Sequence, residues 1–335
     1  MNLSRLVSLF VLVLLFSCMA FAQAPAPIQL PDLNPNEWFD GKMGGTFGAK
    51  TVTAFAKTNR VAVTGFRVVY VTHNEARAVV RASYLPGRET GTARAKMEVD
   101  LVGVDDATLQ AITDRAYQLF LDQLKAAGRE VVTPESSSYA AFKLAEQTPQ
   151  EVKTGLLRGK AFSPTGIPLW WQIGDAWGDA GLGQKNMRAF NVQSEKLNAP
   201  VTIAPLIVVD FAHMESSGNR SGLVARRAEV AASMAMSIPT FYTRVVRAEQ
   251  TRYGGLVSKG DDGALSLTKA IDTDIEFADM QRVDEKSGRV LSLTGPDSKS
   301  KKFINRATTT NEAYTAAASA VLAQTTGAFA KLFAK

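Results

Sequence analysis

Residues 97–132, MEVDLVGVDDATLQAITDRAYQLFLDQLKAAGREVV, decide how the rest of the chain is read. Met97, Val99 and Leu101 alternate with Glu98 and Asp100, the period-two pattern of a strand with one face to water and one to a core. Over 106–127 the apolar side chains fall at Leu109, Ile112, Ala116, Leu119, Phe120, Leu124 and Ala127, a three-and-four spacing that gathers them on one helical face. Asp105 or Asp106 caps the amide end, where a carboxylate also meets the positive pole of the helix dipole. Lys125 sits in the last turn, and Gly128 supplies the left-handed residue that stops the helix. Val131 and Val132 then form a short strand ended by Pro134. Strand, helix, turn and strand in this order are the building unit of an α/β fold.

The flanking segments supply partners for these two strands. Residues 61–71, Val-Ala-Val-Thr-Gly-Phe-Arg-Val-Val-Tyr-Val, are β-branched and aromatic enough for one central, largely buried strand. A weaker strand is expected at 76–84, closed by Pro86-Gly87. Beyond Pro134 a second helical segment is expected at about 139–157, broken at Pro149, and residues 164–183 then set Trp170, Trp171 and Trp177 among glycines. Residues 201–211 repeat the character of the strand at Val61, with Pro205 marking a bulge or an edge. From 230 to 238, Val230, Ala232, Met234, Met236 and Ile238 alternate with small residues, again with period two, and 241–253 continues as strand. Gly254-Gly255, Asp261-Asp262-Gly263 and Ser287-Gly288 read as turns between short strands at Leu265, 275–283 and 290–293. Tyr314, Ala318, Val321, Leu322, Thr325, Phe329 and Leu332 give a closing helix over 311–333.

The sum is an α/β chain, with α+β as the neighbouring class: a mixed sheet with flanking helices, a β-rich second half and a C-terminal helix. Its expected divisions are a signal peptide at 1–22, an extended tether with a glycine-rich loop at 23–60, the first half of the core at 61–160, a Trp/Gly-rich insert at 161–199, and a second half at 200–335 that completes the same core.

The first residues bear on the compartment. Arg5 precedes an apolar run from 7 to 16, too short to span a bilayer, and Ala20-Phe21-Ala22 is a small-x-small cleavage site before Gln23. A competing reading lipidates Cys18, with the bulky Phe16 standing against it. Cys18 is the only cysteine, so cleavage at Gln23 leaves no thiol for a disulfide or for catalysis. Pro25, Pro27, Pro31 and Pro35 then hold an extended tether. Removing Arg5 lowers the formal charge from +6 to +5, a mild excess interleaved with acids that does not read as a nucleic-acid footprint.

The search for chemistry returns little. Gly44 followed by Lys50-Thr51 imitates a phosphate loop, but Ala49 replaces its second glycine and no buried strand precedes it, so a surface loop is the better reading. The two histidines, His73 and His213, have no partner at metal-ligand spacing, and no metal or cofactor is expected. The best polar cluster is Asp210, His213 and Ser217 at a strand end, although it lacks a nucleophile elbow. Trp170, Trp171 and Trp177 either line a ligand site or serve as packing and contact, the latter favoured. Lys299, Lys301 and Lys302 read as a solvated loop, with an acidic membrane surface as the minor alternative.

The opening strand Val61-Ala62-Val63-Thr64-Gly65-Phe66, the helix ending Leu124-Lys125-Ala126-Ala127-Gly128, and the Arg129-Glu130-Val131-Val132 that follows resemble the α/β core of curli-secretion lipoproteins and of the amino-terminal domain of TolB. The order of elements over 61–335 is similar, while the Trp/Gly insert departs from that pattern. The resemblance implies a non-enzymatic, exported cell-envelope protein, periplasmic or associated with the outer membrane, that acts in assembly or secretion. Its expected partners are itself, as a homo-oligomer, or other envelope proteins, without nucleic acid and without a transmembrane helix after processing. The alternative is a periplasmic small-ligand-binding protein or hydrolase using the Asp210–Ser217 cluster or the Trp170–Trp177 loop.

Overall fold

The computed structural model describes residues 33, 39–40, 58–80, 84–85, 88–89, 92–135, 148–172, 175, 177, 180–221, 225–250, 256–290 and 298–334. The expected signal peptide, Cys18, the tether and the glycine-rich stretch lie outside them, apart from isolated residues. The first half supplies strands β1 (Phe39–Asp40), β2 (Arg60–Val63), β3 (Arg67–Val80), β4 (Tyr84–Leu85), β5 (Arg88–Glu89) and β6 (Ala93–Val102), helix α1 (Asp106–Ala126), and strands β7 (Glu130–Val132), β8 (Gln150–Thr154) and β9 (Leu157–Phe162). The second half supplies helix α2 (Ala180–Lys196), strands β10 (Val201–Ile203), β11 (Leu206–Ser221), β12 (Ala225–Gln250), β13 (Leu256–Leu267), β14 (Ile271–Thr273), β15 (Ala278–Val290) and β16 (Ser298–Thr309), and helix α3 (Asn311–Lys331). The expected α/β class is what these elements form.

One mixed sheet runs β15-β16-β6-β3-β11-β12-β10-β2-β7, with β9 added on β3, β8 on β9, and β13 and β14 on β12. The strands at Val61 and Val201 are parallel neighbours, Val61 opposite Val201 and Val63 opposite Ile203. Both then break together. Thr64–Phe66 and Ala204-Pro205 interrupt the ladder, and β3 and β11 resume it with Arg67 opposite Leu206. Pro205 has no amide hydrogen to give, yet its carbonyl accepts from the Arg67 N–H at 2.9 Å, so the break stays hydrogen-bonded.

Asp105 caps α1, its side chain accepting from the Thr108 N–H at 2.7 Å, and Gly128 stands just past the end at φ +82°. The buried face of α1 holds Leu109, Ile112, Ala116, Phe120 and Leu124 as the spacing predicts, together with Thr113, Tyr117 and Leu121, while Leu119 is only half-buried. Opposite it, α3 is capped by Thr310 and buries Tyr314, Ala318, Val321, Leu322, Thr325 and Phe329. Phe329 is the centre of an aromatic seam, 4.5 Å from Phe241, 5.8 Å from Phe120 and 5.0 Å from Phe333 between ring centroids. The other face of the sheet carries α2: Val245 belongs to the helix-side core, and its neighbour Val246 packs with Trp170, Phe190 and Ala204 in a second cluster. Alternation along one strand therefore feeds two layers.

Several expectations are corrected. The run at 61–71 is two strands, and 76–80 is the end of β3, not a strand of its own. The helix expected to reach Leu157 gives way at Gln150 to the β8–β9 hairpin, whose two-residue loop places Gly155 at φ +55°; its earlier part, 139–147, lies outside the described residues. Residues 180–196 of the Trp/Gly insert form a helix that the glycine count concealed. Asp261-Asp262-Gly263 is not a turn: Gly263, at φ +116°, absorbs a bulge within β13, where Arg244 pairs with Ala264 and Val246 with Asp261. Ser287-Gly288 continues β15, and Lys299, Lys301 and Lys302 belong to β16 and not to a loop.

Candidate functional site

Trp170, Trp171 and Trp177 are buried, at 0%, 2% and 5% exposure, so none offers an open ring face to a ligand or a second protein. Trp170 lies across the break between β2 and β3. A Cβ on Gly65 would stand 2.9 Å from its Nε1, and that nitrogen donates to the Thr64 carbonyl at 3.3 Å. The Trp171 indole donates to Gln150 Oε1 at 3.1 Å.

Beneath the two rings lies an ion pair that the sequence did not announce. The Arg67 guanidinium carbon sits 5.4 Å from the Trp170 ring and 5.9 Å from that of Trp171, and its Nη1 meets the Asp175 carboxylate, both side chains being buried. Arg67 also donates to the Trp170 carbonyl at 3.1 Å and the Ala204 carbonyl at 2.7 Å, and Asp175 accepts the Gln172 N–H at 2.7 Å. Burial pushes the Asp175 carboxyl up, and Arg67 pulls it back down. The pair thus fastens the tryptophan loop to the paired breaks of β2–β3 and β10–β11, which makes it a clamp in the fold and not a surface for ligands.

The expected cluster Asp210, His213 and Ser217 does not assemble. All three lie along β11, and the ladder to β12 places them opposite Ser237, Ser233 and Glu229, respectively. Seven residues of strand put Ser217 about 20 Å beyond Asp210. Asp210 is buried and accepts from the Asn74 side-chain amide at 3.1 and 3.2 Å and from the Ala212 N–H at 3.2 Å. His213 is exposed, with Nε2 3.6 Å from Glu215, and borders a cleft of about 520 Å³ shared with Asp272, Asp274 and Glu276. Ser217 borders a different cleft, of about 770 Å³, between the β11–β12 hairpin and the starts of β6 and β16, with Arg94, Glu215, Glu229 and Phe303. A base and a nucleophile in separate clefts cannot share a proton. Among the described residues no three His, Asp or Glu side chains gather in a metal-binding arrangement.

One long accessible feature among the described residues is a margin of the sheet. β15 ends the strand order, hydrogen-bonded to β16 on one side, so its other backbone edge is unpaired among the described residues. Residues 279–283 and 285–287 are exposed, including the apolar Met280 at 36% and Val283 at 52%. The register shifts between Arg282 and Asp284, which makes Val283 the extra residue of a bulge. Charges at Asp279, Arg282, Asp284, Glu285 and Lys286 accompany it. Bulges and charges are the devices that keep an edge strand from pairing indiscriminately, so a partner for this edge has to match them. Neither the aromatic nor the polar cluster read from the sequence includes any of β15.

No helix among the described residues is long and apolar enough to cross a membrane. No protein-family model, curated protein or solved structure matches this chain.

Proposed function

We propose that the protein is a non-enzymatic, exported cell-envelope protein that acts in assembly or secretion by contact with itself or with other envelope proteins. The observation that carries this reading is the β15 margin, thirteen residues long, paired on one side and bearing two exposed apolar side chains among charges of both signs. Adding a strand to such an edge gives affinity through main-chain hydrogen bonds and specificity through alternate side chains. The resemblance to curli-secretion lipoproteins, drawn from short stretches of sequence, agrees with it. The competing reading, a periplasmic ligand-binding protein or hydrolase, has in its favour the cleft beside Ser217.

Sedimentation velocity on the exported protein separates the two. The contact reading expects a species larger than one chain, reduced to one chain by Met280→Glu with Val283→Lys at an unchanged unfolding midpoint. A wild-type protein that sediments as one chain, and whose cellular role is abolished by His213→Ala or Ser217→Ala, would sink it.

A further inference from the structure

The far end of the sheet, where β3 and β15 finish and β6 and β16 begin, is basic in a way that depends on strand register. Lys286 is opposite Lys302, Lys302 opposite Lys96, and Lys96 opposite Arg77, so four cations stand in one row across four strands. Residues directly opposite in a ladder project from the same face, and like charges so placed repel unless something offsets them. The offset is one row inward, where Glu75, Glu98 and Asp284 lie: Lys96 reaches Glu75 at 3.0 Å, Lys302 reaches Glu98 at 2.9 Å, and Lys286 stands 3.4 Å from Asp284. Outward of the row, the strands of this face hold no further carboxylate among the described residues. There the face adds Arg94, opposite Val79 and Ser300, which with Arg77, Lys96, Lys286 and Lys302 makes five cations. The three carboxylates of the inner row, Glu75, Glu98 and Asp284, leave this face a surplus of two positive charges.

The shape agrees with the charge. Arg77, Arg94, Lys96, Lys286 and Lys302 line a groove of about 380 Å³ on this face, with Ser300 and Val79 between them. Val79 is 53% exposed although it is a valine in a strand flanked by cations. Cations around an exposed apolar side chain at a strand end are what a charged lipid interface accommodates, phosphates taking the Lys and Arg while the valine meets the acyl boundary. Nucleic acid fits less well, since among the described residues no aromatic side chain lines the groove for a base to stack on.

The geometry points to this basic end as a docking surface for the phosphate-bearing headgroups of an anionic lipid membrane. The surface adjoins the Ser217 cleft, with which it shares Arg94, and it adds a lipid partner to the protein contacts proposed above. It includes Lys286 of β15 but uses the face of the sheet and not the unpaired backbone edge, so vesicle binding and oligomeric state measure the two separately.

The test is co-sedimentation of the full-length protein with vesicles of phosphatidylglycerol and phosphatidylcholine mixed one to one, against phosphatidylcholine alone. Binding is expected to the anionic vesicles only, and to weaken as salt is raised. The pair Arg94→Glu and Lys286→Glu should lower the partition coefficient at least about tenfold, since each basic residue near an anionic surface contributes severalfold. Lys153→Glu with Lys196→Glu makes the same change of net charge elsewhere and should have a much smaller effect. Far-UV circular dichroism and an unchanged unfolding midpoint confirm that both pairs are folded. Equal binding to both vesicle types, no binding to either, or equal losses in the two double variants overturns the proposal. Competition by millimolar inorganic phosphate would reassign the groove to a free anion, and duplex DNA that binds tighter and is lost in the same variant would reassign it to nucleic acid.

Discussion

Asn74 and Asp210 are joined by two hydrogen bonds across the divergence of β3 and β11, the amide nitrogen reaching both carboxylate oxygens at 3.1 and 3.2 Å. Burial pushes the Asp210 carboxyl up to about 6, against the pull of the Ala212 and Phe211 amides, Asn74 and His213. In the unfolded chain the same group titrates near 4, so the native state binds the proton more tightly. Stability from this group is therefore full below pH ~4, falls as pH rises through the window from ~4 to ~6, and is absent above it, a difference of about 3 kcal/mol. Asp210→Asn should remove that slope and leave the variant more stable than wild type at pH 7.5. Urea unfolding of both proteins at pH 4, 5, 6 and 7.5 measures it, and parallel curves would refute it.

Arg67→Met should destabilise the fold by about 3 to 5 kcal/mol, because it strands the Asp175 carboxylate without its cation. Asp175→Asn in the same background should restore part of the loss. A double variant no better than the single one would show that the Arg67 contacts to Trp170 and Ala204 carry the effect, and not the charge pair.

Gly65→Ala inserts a methyl group 2.9 Å from the Trp170 indole in a fully packed layer, at a cost of about 1 to 3 kcal/mol. Trp170→Phe removes the ring atoms in that contact. The two substitutions together should therefore cost less than their separate costs added, and calorimetric midpoints of the three variants decide it.

On α1, Phe120 is fully buried, with ring centroids 5.5 Å from Phe66 and 5.8 Å from Phe329. Phe120→Ala should cost about 3 to 5 kcal/mol, while Gln118→Ala, on the exposed face, should change stability by less than ~0.5 kcal/mol. Comparable losses at both positions would mean that the helix presents another face to the sheet.

Local signals carried the helices best. The cap at Asp105, the spacing from Leu109 to Leu124 and the stop at Gly128 are all written within 24 residues, and the structure follows them. The alternation from Val230 to Ile238 survives for the same reason. What escaped was every feature whose meaning depends on a distant partner. Gly263 looked like a turn and is a bulge because β12 runs beside it; Gly65 looked like part of one strand and is a break because Trp170 fills its missing side chain. The tryptophans were legible as a cluster, but their burial depends on Arg67, more than a hundred residues earlier, and nothing local marked that arginine as buried. Lys286, Lys302, Lys96 and Arg77 show the same limit, since only register brings them into one row.

Asp105 and Asn311 hydrogen-bond to each other at the starts of α1 and α3, and just beside them β6 and β16 pair in parallel, across a gap of 206 residues. Loops of that size close slowly, and everything from β6 through β16 must be available before β6 gains this neighbour. Until then β6 has an open side and the α1 face that receives Phe329 is bare, so a chain emerging in sequence order presents sticky surface until β16 and α3 are available. Removing part of α3 should therefore lower the folded yield sharply, the kinetic consequence of closing the core with elements so distant in sequence from those they cover.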